Sequence, residues 1–104
     1  MSMGLAERVR SAVAALLHAT GESQTALATA LGVSQAQVSR RQSGSAAWSL
    51  ADCDAVAAHY GVDVLDLLAG PTRAVEALPE TRRRLPAGRA TTARPAAVPD
   101  GGTR

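Results

Sequence analysis

The chain has 104 residues, a formal net charge of +2, a single Cys, Trp and Tyr, and no Phe. That length fits one domain and leaves no room to surround a large cofactor. The charge is unevenly divided: residues 1–70 carry four Arg and six acids (net −2), whereas residues 71–104 carry seven Arg and three acids (net +4).

Five glycines, Gly21, Gly32, Gly44, Gly61 and Gly70, each follow a segment with helical apolar spacing. Glycine relieves the left-handed strain of a helix C-cap, so this punctuation predicts five short helices. The first carries Leu5, Val9, Ala12, Val13, Leu16 and Leu17 at three- and four-residue steps, an amphipathic stripe. The second starts at Ser23 as N-cap and is expected to bury Leu27, Ala28 and Leu31. The third starts at Ser34, where Ser34 and Gln37 have capping-box spacing. Ser49 and Asp52 repeat that arrangement at the fourth, which is expected to bury Leu50, Cys53, Val56, Ala57 and Tyr60. The fifth is short, capped by Asp63 with Val64, Leu67 and Leu68 inward, and Gly70-Pro71 is expected to stop it.

No segment alternates with period two over enough residues for a strand, so the fold class is all-α. The expected division is a helical domain over residues 1–70 and an Arg/Pro/Ala-rich flexible tail over residues 71–104. That tail has too little apolar content to offset its ordering entropy, although Val75 to Leu78 could add a helical turn. One cysteine excludes an internal disulfide and favours a reducing compartment. With no long apolar run and no charged-then-apolar leader, the chain is expected to be soluble and cytoplasmic, with no membrane contact.

The third helix, within "GVSQAQVSRRQSG", has a single large apolar residue, Val38. At about 100° per residue, with Val38 inward, Gln35, Arg41 and Gln42 flank it and Ala36, Ser39, Arg40 and Ser43 fall on the opposite arc. A short turn around Gly32 forces a sharp angle with the preceding helix, the geometry of a helix-turn-helix. Such a helix fits the DNA major groove: Gln pairs with adenine, Arg with guanine, and Ala meets a thymine methyl. The start of the second helix, beside Gln24, suits a phosphate oxygen.

The run "SQTALATALGVSQAQVSRRQSG" resembles the lambda-repressor-like, Cro/XRE-type helix-turn-helix family, matching at Ser23, Gln24, Leu27, Ala28, Leu31, Gly32, Val33, Ser34, Val38, Ser39, Arg40 and Gly44. The segment "SLADCDAVAAHYGVDVLDLL" is similar to the family's fourth and fifth helices, at Leu50, Val56, Ala57, Gly61, Val62, Val64 and Leu67. The resemblance covers about residues 5–70. It implies a compact five-helix domain whose third helix enters the major groove, with base contacts from Gln35, Ala36 and Arg40, and Ser39 nearby. It implies phosphate contacts from Gln24, Ser43 and Ser45, and binding as a homodimer to near-palindromic operators. Arg41 is read as a further phosphate contact.

The chain departs from the family pattern at Gln42, where Glu is usual, at Arg41, where a large apolar residue is common, and at Trp48, where Pro is frequent. In phage repressors that Glu pairs with an Arg of the first helix; Leu17 stands at roughly that place. Replacing both partners avoids an unpaired buried charge.

The function these readings point to is a DNA-binding transcriptional regulator, a repressor, in the nucleoid. The alternatives are an antitoxin whose C-terminal tail folds on a toxin, and a protein-interaction adaptor on the same fold. Val64, Leu65 and Leu68 suggest the fifth helix, with the first turn of the tail, as the dimer surface. An enzyme is disfavoured, since the chain offers no nucleophile–base pair, metal cluster or phosphate-binding glycine loop. No cofactor or metal is expected: His18 and His59 lack acidic or Cys neighbours at ligand spacing. Cys53 reads as core and Trp48 as a cover for the loop before the fourth helix. Arg82-Arg83-Arg84 could add phosphate affinity, while "GRATTARP" lacks the core of a minor-groove hook.

Overall fold

The structure is a computed structural model that describes residues 3–84. Within them the chain forms six α-helices and a 3-10 turn, and no strand is present among the described residues. The helices are α1 (Leu5–Thr20), α2 (Gln24–Leu31), α3 (Gln35–Ser43), α4 (Leu50–Tyr60), α5 (Val64–Leu68) and α6 (Pro71–Glu76), followed by a 3-10 turn at Glu80–Arg82.

Local chemistry explains the boundaries. Side-chain oxygens of Ser23, Ser34, Ser49 and Asp63 accept backbone N–H groups of Ala26, Gln37, Asp52 and Leu65, satisfying donors that the first turn of a helix leaves free. At α3 and α4 the box is reciprocal: Gln37 and Asp52 accept the N–H groups of Ser34 and Ser49 at 2.8 and 2.9 Å. The α2–α3 turn depends on Gly32, whose φ of 73° lies in the left-handed region and lets its N–H close back on the last turn of α2.

The core is a single cluster. Val9, Ala12, Val13 and Leu16 of α1 meet Leu27 and Ala28 of α2, Val38 of α3, the Cys53–Val56–Ala57–Tyr60 stripe of α4, and Leu67 of α5. Two residues assigned to these stripes lie outside it. Leu50, expected inside, is 75% exposed, and Leu5 is 54% exposed. Both stand in the first turn of their helices, where the stripe runs past the end of the core. There they line an open groove of about 170 Å³ with Val9, Trp48 and Leu68.

The chain does not leave the fold at Gly70. Pro71 occupies the first turn of α6, where its missing N–H costs nothing and its fixed φ suits a helix. Gly70, at φ 117° and ψ −179°, makes the bend between α5 and α6. Ala74 and Leu78 are buried against the core, and α6 packs along α1. Residues 71–84, expected in the tail, are therefore part of the helical body. Residues 85–104 of the expected tail, "GRATTARP" included, lie outside the described residues.

Candidate nucleic-acid interface

The α2–turn–α3 unit is held from behind, and its front is open. Val38 is fully buried and is the one large apolar anchor of α3. Beside it, the Gln42 side-chain amide donates to the Arg10 carbonyl of α1 at 3.1 Å. The Gln42 oxygen accepts the Trp48 indole N–H at 2.9 Å. One neutral amide thus joins α1, α3 and the loop before α4 at the position where a carboxylate was the family expectation. Leu17, at the corresponding α1 position, packs half-buried against the core and leaves no charge to answer.

On the other flank, Arg41 Nε lies 3.1 Å from an Asp52 carboxylate oxygen, and the guanidinium stands 5.6 Å from the Trp48 ring centroid. The buried Nε makes no directed hydrogen bond. The N–H is not aimed at the oxygen, so the short contact is an ion pair, and the stacked indole adds a cation–π component. Trp48 is half-buried in the α3–α4 loop and braces both flanks of α3.

The remaining positions face outward. Gln35, Ala36 and Arg40 are exposed and Ser39 is half-buried. Gln35 donates from Nε2 to Gln24 Oε1 at 3.1 Å, which brings the second-helix glutamine to the first turn of α3. The hydroxyls of Ser43 and Ser45 lie 3.1 Å apart at the other end, where Ser43 also donates to the Arg40 carbonyl. The structure therefore gathers Gln24, Gln35, Ala36, Ser39, Arg40, Ser43 and Ser45 along the open side of α3, and sets Arg41 between α3 and α4.

Sequence reasoning missed a second polar cluster. Tyr60 donates its phenol O–H to Glu22 at 2.9 Å, and His59 Nε2 lies 3.0 Å from each oxygen of the same carboxylate. Arg82 approaches Glu22 at 3.8 Å and lies 5.4 Å from the Tyr60 ring centroid. Burial, then the Glu22 hydrogen bond and charge, push the Tyr60 phenol well above its usual range. The cluster joins the α1–α2 corner, α4 and the 3-10 turn. Its only sequence signal is a Glu, a His-Tyr pair and an Arg far apart along the chain.

Arg83 donates to the Val75 and Glu76 carbonyls at the end of α6, and the Arg84 N–H donates to the Ala19 carbonyl at 2.7 Å. Arg82 and Arg83 thus make polar contacts with the fold through their side chains, and Arg84 makes one through its backbone.

Cys53 is buried, and its thiol is pushed up by burial and then by Asp52 and Asp54, which suits a core residue and not a nucleophile. His18 is exposed at the end of α1. Among the described residues no group of three or more His, Cys, Asp or Glu is placed to hold a metal ion, and no helix is long and apolar enough to cross a membrane.

Fold and site together define a small all-helical domain whose third helix leaves a polar, cationic side open. The chain belongs to the BetR domain family, whose family model matches residues 2–98. No curated protein and no solved structure matches the chain.

Proposed function

We propose that the protein is a sequence-specific DNA-binding transcriptional regulator, a repressor of the lambda-repressor-like, Cro/XRE type, that acts by binding and not by catalysis. The observation that carries this reading is the division of α3. Val38, Gln42 and Arg41 dock one side, while Gln35, Ala36, Ser39 and Arg40 have no part in the buried core. A helix docked by so little apolar surface and left polar and cationic outside suits the major groove. Membership of the BetR domain family supports a regulatory role.

In this reading Arg40 pairs with guanine and Gln35 with adenine, Ala36 meets a thymine methyl, and Ser39 adds a hydroxyl. Gln24, Ser43 and Ser45 take phosphate oxygens. Arg41 reaches a phosphate only through its terminal nitrogens, because Nε is buried beside Asp52. A homodimer forms through the apolar face where Leu65 is 70% exposed, setting two copies of α3 on a near-palindromic operator of the nucleoid.

The test is fluorescence-anisotropy titration of the full chain and Arg40→Ala against two duplexes. One is enriched on the wild type from a random pool, and the other is its scramble. The expected result is a clear preference of the wild type for the enriched duplex, lost in Arg40→Ala while weak salt-sensitive binding persists. Equal affinity of both proteins for both duplexes overturns the reading.

A further inference from the structure

Residues 3–84 contain eight arginines and eight acidic residues, so the described body has no net charge with which to attract a polyanion. Placement therefore decides where DNA could be held. Arg41 pairs with Asp52, Arg73 with Asp66, Arg82 with Glu22 and Arg83 with Glu80. Four arginines have no carboxylate within ion-pair distance among the described residues: Arg8, Arg10, Arg40 and Arg84. Arg40 is on the outer arc of α3.

Two of the others lie at the ends of the helix–turn–helix unit without belonging to it. The Arg10 guanidinium, from α1, packs on Gly44, with its central carbon 3.5 Å from where a Cβ would stand there. Gly44 is the residue that closes α3. The Arg84 side chain, from the segment after the 3-10 turn, packs on Gly21 at the corner that leads into α2, its Cδ 3.0 Å from the corresponding position. Arg84 is exposed and Arg10 half-buried. The acid nearest that corner, Glu22, already faces Arg82, His59 and Tyr60 and offers Arg84 little opposition. The fourth unpaired arginine, Arg8, packs on Gly70 at the α5–α6 bend, away from this unit.

We infer that Arg10 and Arg84 are two backbone clamps that grip DNA phosphates on either side of the groove entered by α3. The inference rests on the DNA-binding reading above and deepens it by naming contacts from outside the helix–turn–helix. A guanidinium presents a planar fork of donors matched to phosphate oxygens and stays charged at any physiological pH. Phosphate contacts position a protein on the duplex and contribute affinity, while carrying no sequence information. The two clamps therefore set affinity and salt dependence, and Arg40 sets preference. The third residue of the triple arginine is the one that reaches DNA; the first two hold the segment in place.

The experiment measures affinity of the full chain for the enriched and scrambled duplexes across a salt series, with Arg10→Gln, Arg84→Gln, the double variant and Arg8→Gln as an equal-charge control. Circular dichroism melting confirms that each variant is folded. Removing one phosphate-bound cation flattens the plot of log affinity against log salt by about 0.9. Arg10→Gln and Arg84→Gln are expected to flatten it by about that much each and the double variant by about twice as much, with the ratio between duplexes unchanged. Arg8→Gln is expected to leave the slope as it is, and Arg10→Lys to restore most of it. Slopes for Arg10→Gln and Arg84→Gln equal to that of Arg8→Gln overturn the clamps. That result leaves the Arg40→Ala test of sequence preference standing. Loss of duplex preference in the wild type, with the slopes still changed, removes the sequence reading and not the clamps.

Discussion

The Trp48 indole N–H and the Gln42 side-chain oxygen meet at 2.9 Å, and through that contact the loop before α4 is fastened to α3. The same Gln42 amide reaches the Arg10 carbonyl. A single side chain therefore satisfies one donor and one acceptor in a half-buried seam, where an unmade hydrogen bond costs more than a made one returns.

Gln42→Leu strands both groups and is expected to lower stability by about 2 kcal/mol in urea denaturation. Gln42→Glu retains an acceptor for Trp48 and sets a carboxylate against the Arg10 carbonyl, so it is expected to fall between Gln42→Leu and the wild type near neutral pH. A Gln42→Leu midpoint equal to that of the wild type shows that the seam contributes nothing.

Alkaline pH should weaken the fold through Tyr60. Its folded-state pKa is raised, so the native state holds the phenol proton more firmly than the unfolded chain does. The associated stability is fully present below the ordinary tyrosine value of 10 and declines as pH rises beyond it. Cys53, raised from 9.0, acts in the same direction slightly earlier. Melting temperatures between neutral pH and about pH 11 should fall for the wild type and fall less steeply for Tyr60→Phe. Parallel curves would place the alkaline loss elsewhere.

A chain ending at Gly70 lacks α6, which packs along α1 with Ala74 and Leu78 buried. It also loses Arg82, a partner of Glu22. Uncovering apolar area at about 25 cal/mol per Å² from so small a body is expected to leave it largely unfolded at 37 °C by circular dichroism. A cooperative melt matching that of the full chain would put the domain boundary at residue 70 after all.

Legibility in the sequence followed the range of the interactions. The starts of α2, α3 and α4 were readable because each cap lies within three residues of its partner, Ser23 with Ala26, Ser34 with Gln37 and Ser49 with Asp52, and their stops because Gly32, Gly44 and Gly61 close them. α6 was missed because Gly70-Pro71 reads as a stop, whereas Pro71 also begins a helix and the buried Ala74 carries almost no hydropathy signal. Leu50 was misplaced because helical spacing gives the face of a stripe and not the point where the core ends. On the candidate interface, periodicity sufficed to orient α3 around Val38. The partners of Gln42, Arg41 and Glu22 lie on other helices or loops, and residue type alone does not choose between a phosphate, an acid and an indole for an arginine.

The way α3 is seated also bears on how such a protein could change its target. Val38, Gln42 and Arg41 do the seating, and Ala36 and Arg40 on the outer arc make no side-chain contact that the fold depends on. If α3 reads DNA as proposed, exchanging those outward residues redirects recognition while leaving the melting behaviour nearly untouched. Under the proposed DNA-binding function, target choice would thus be free to drift without a folding penalty, and a selection experiment could graft new preferences onto an unaltered scaffold.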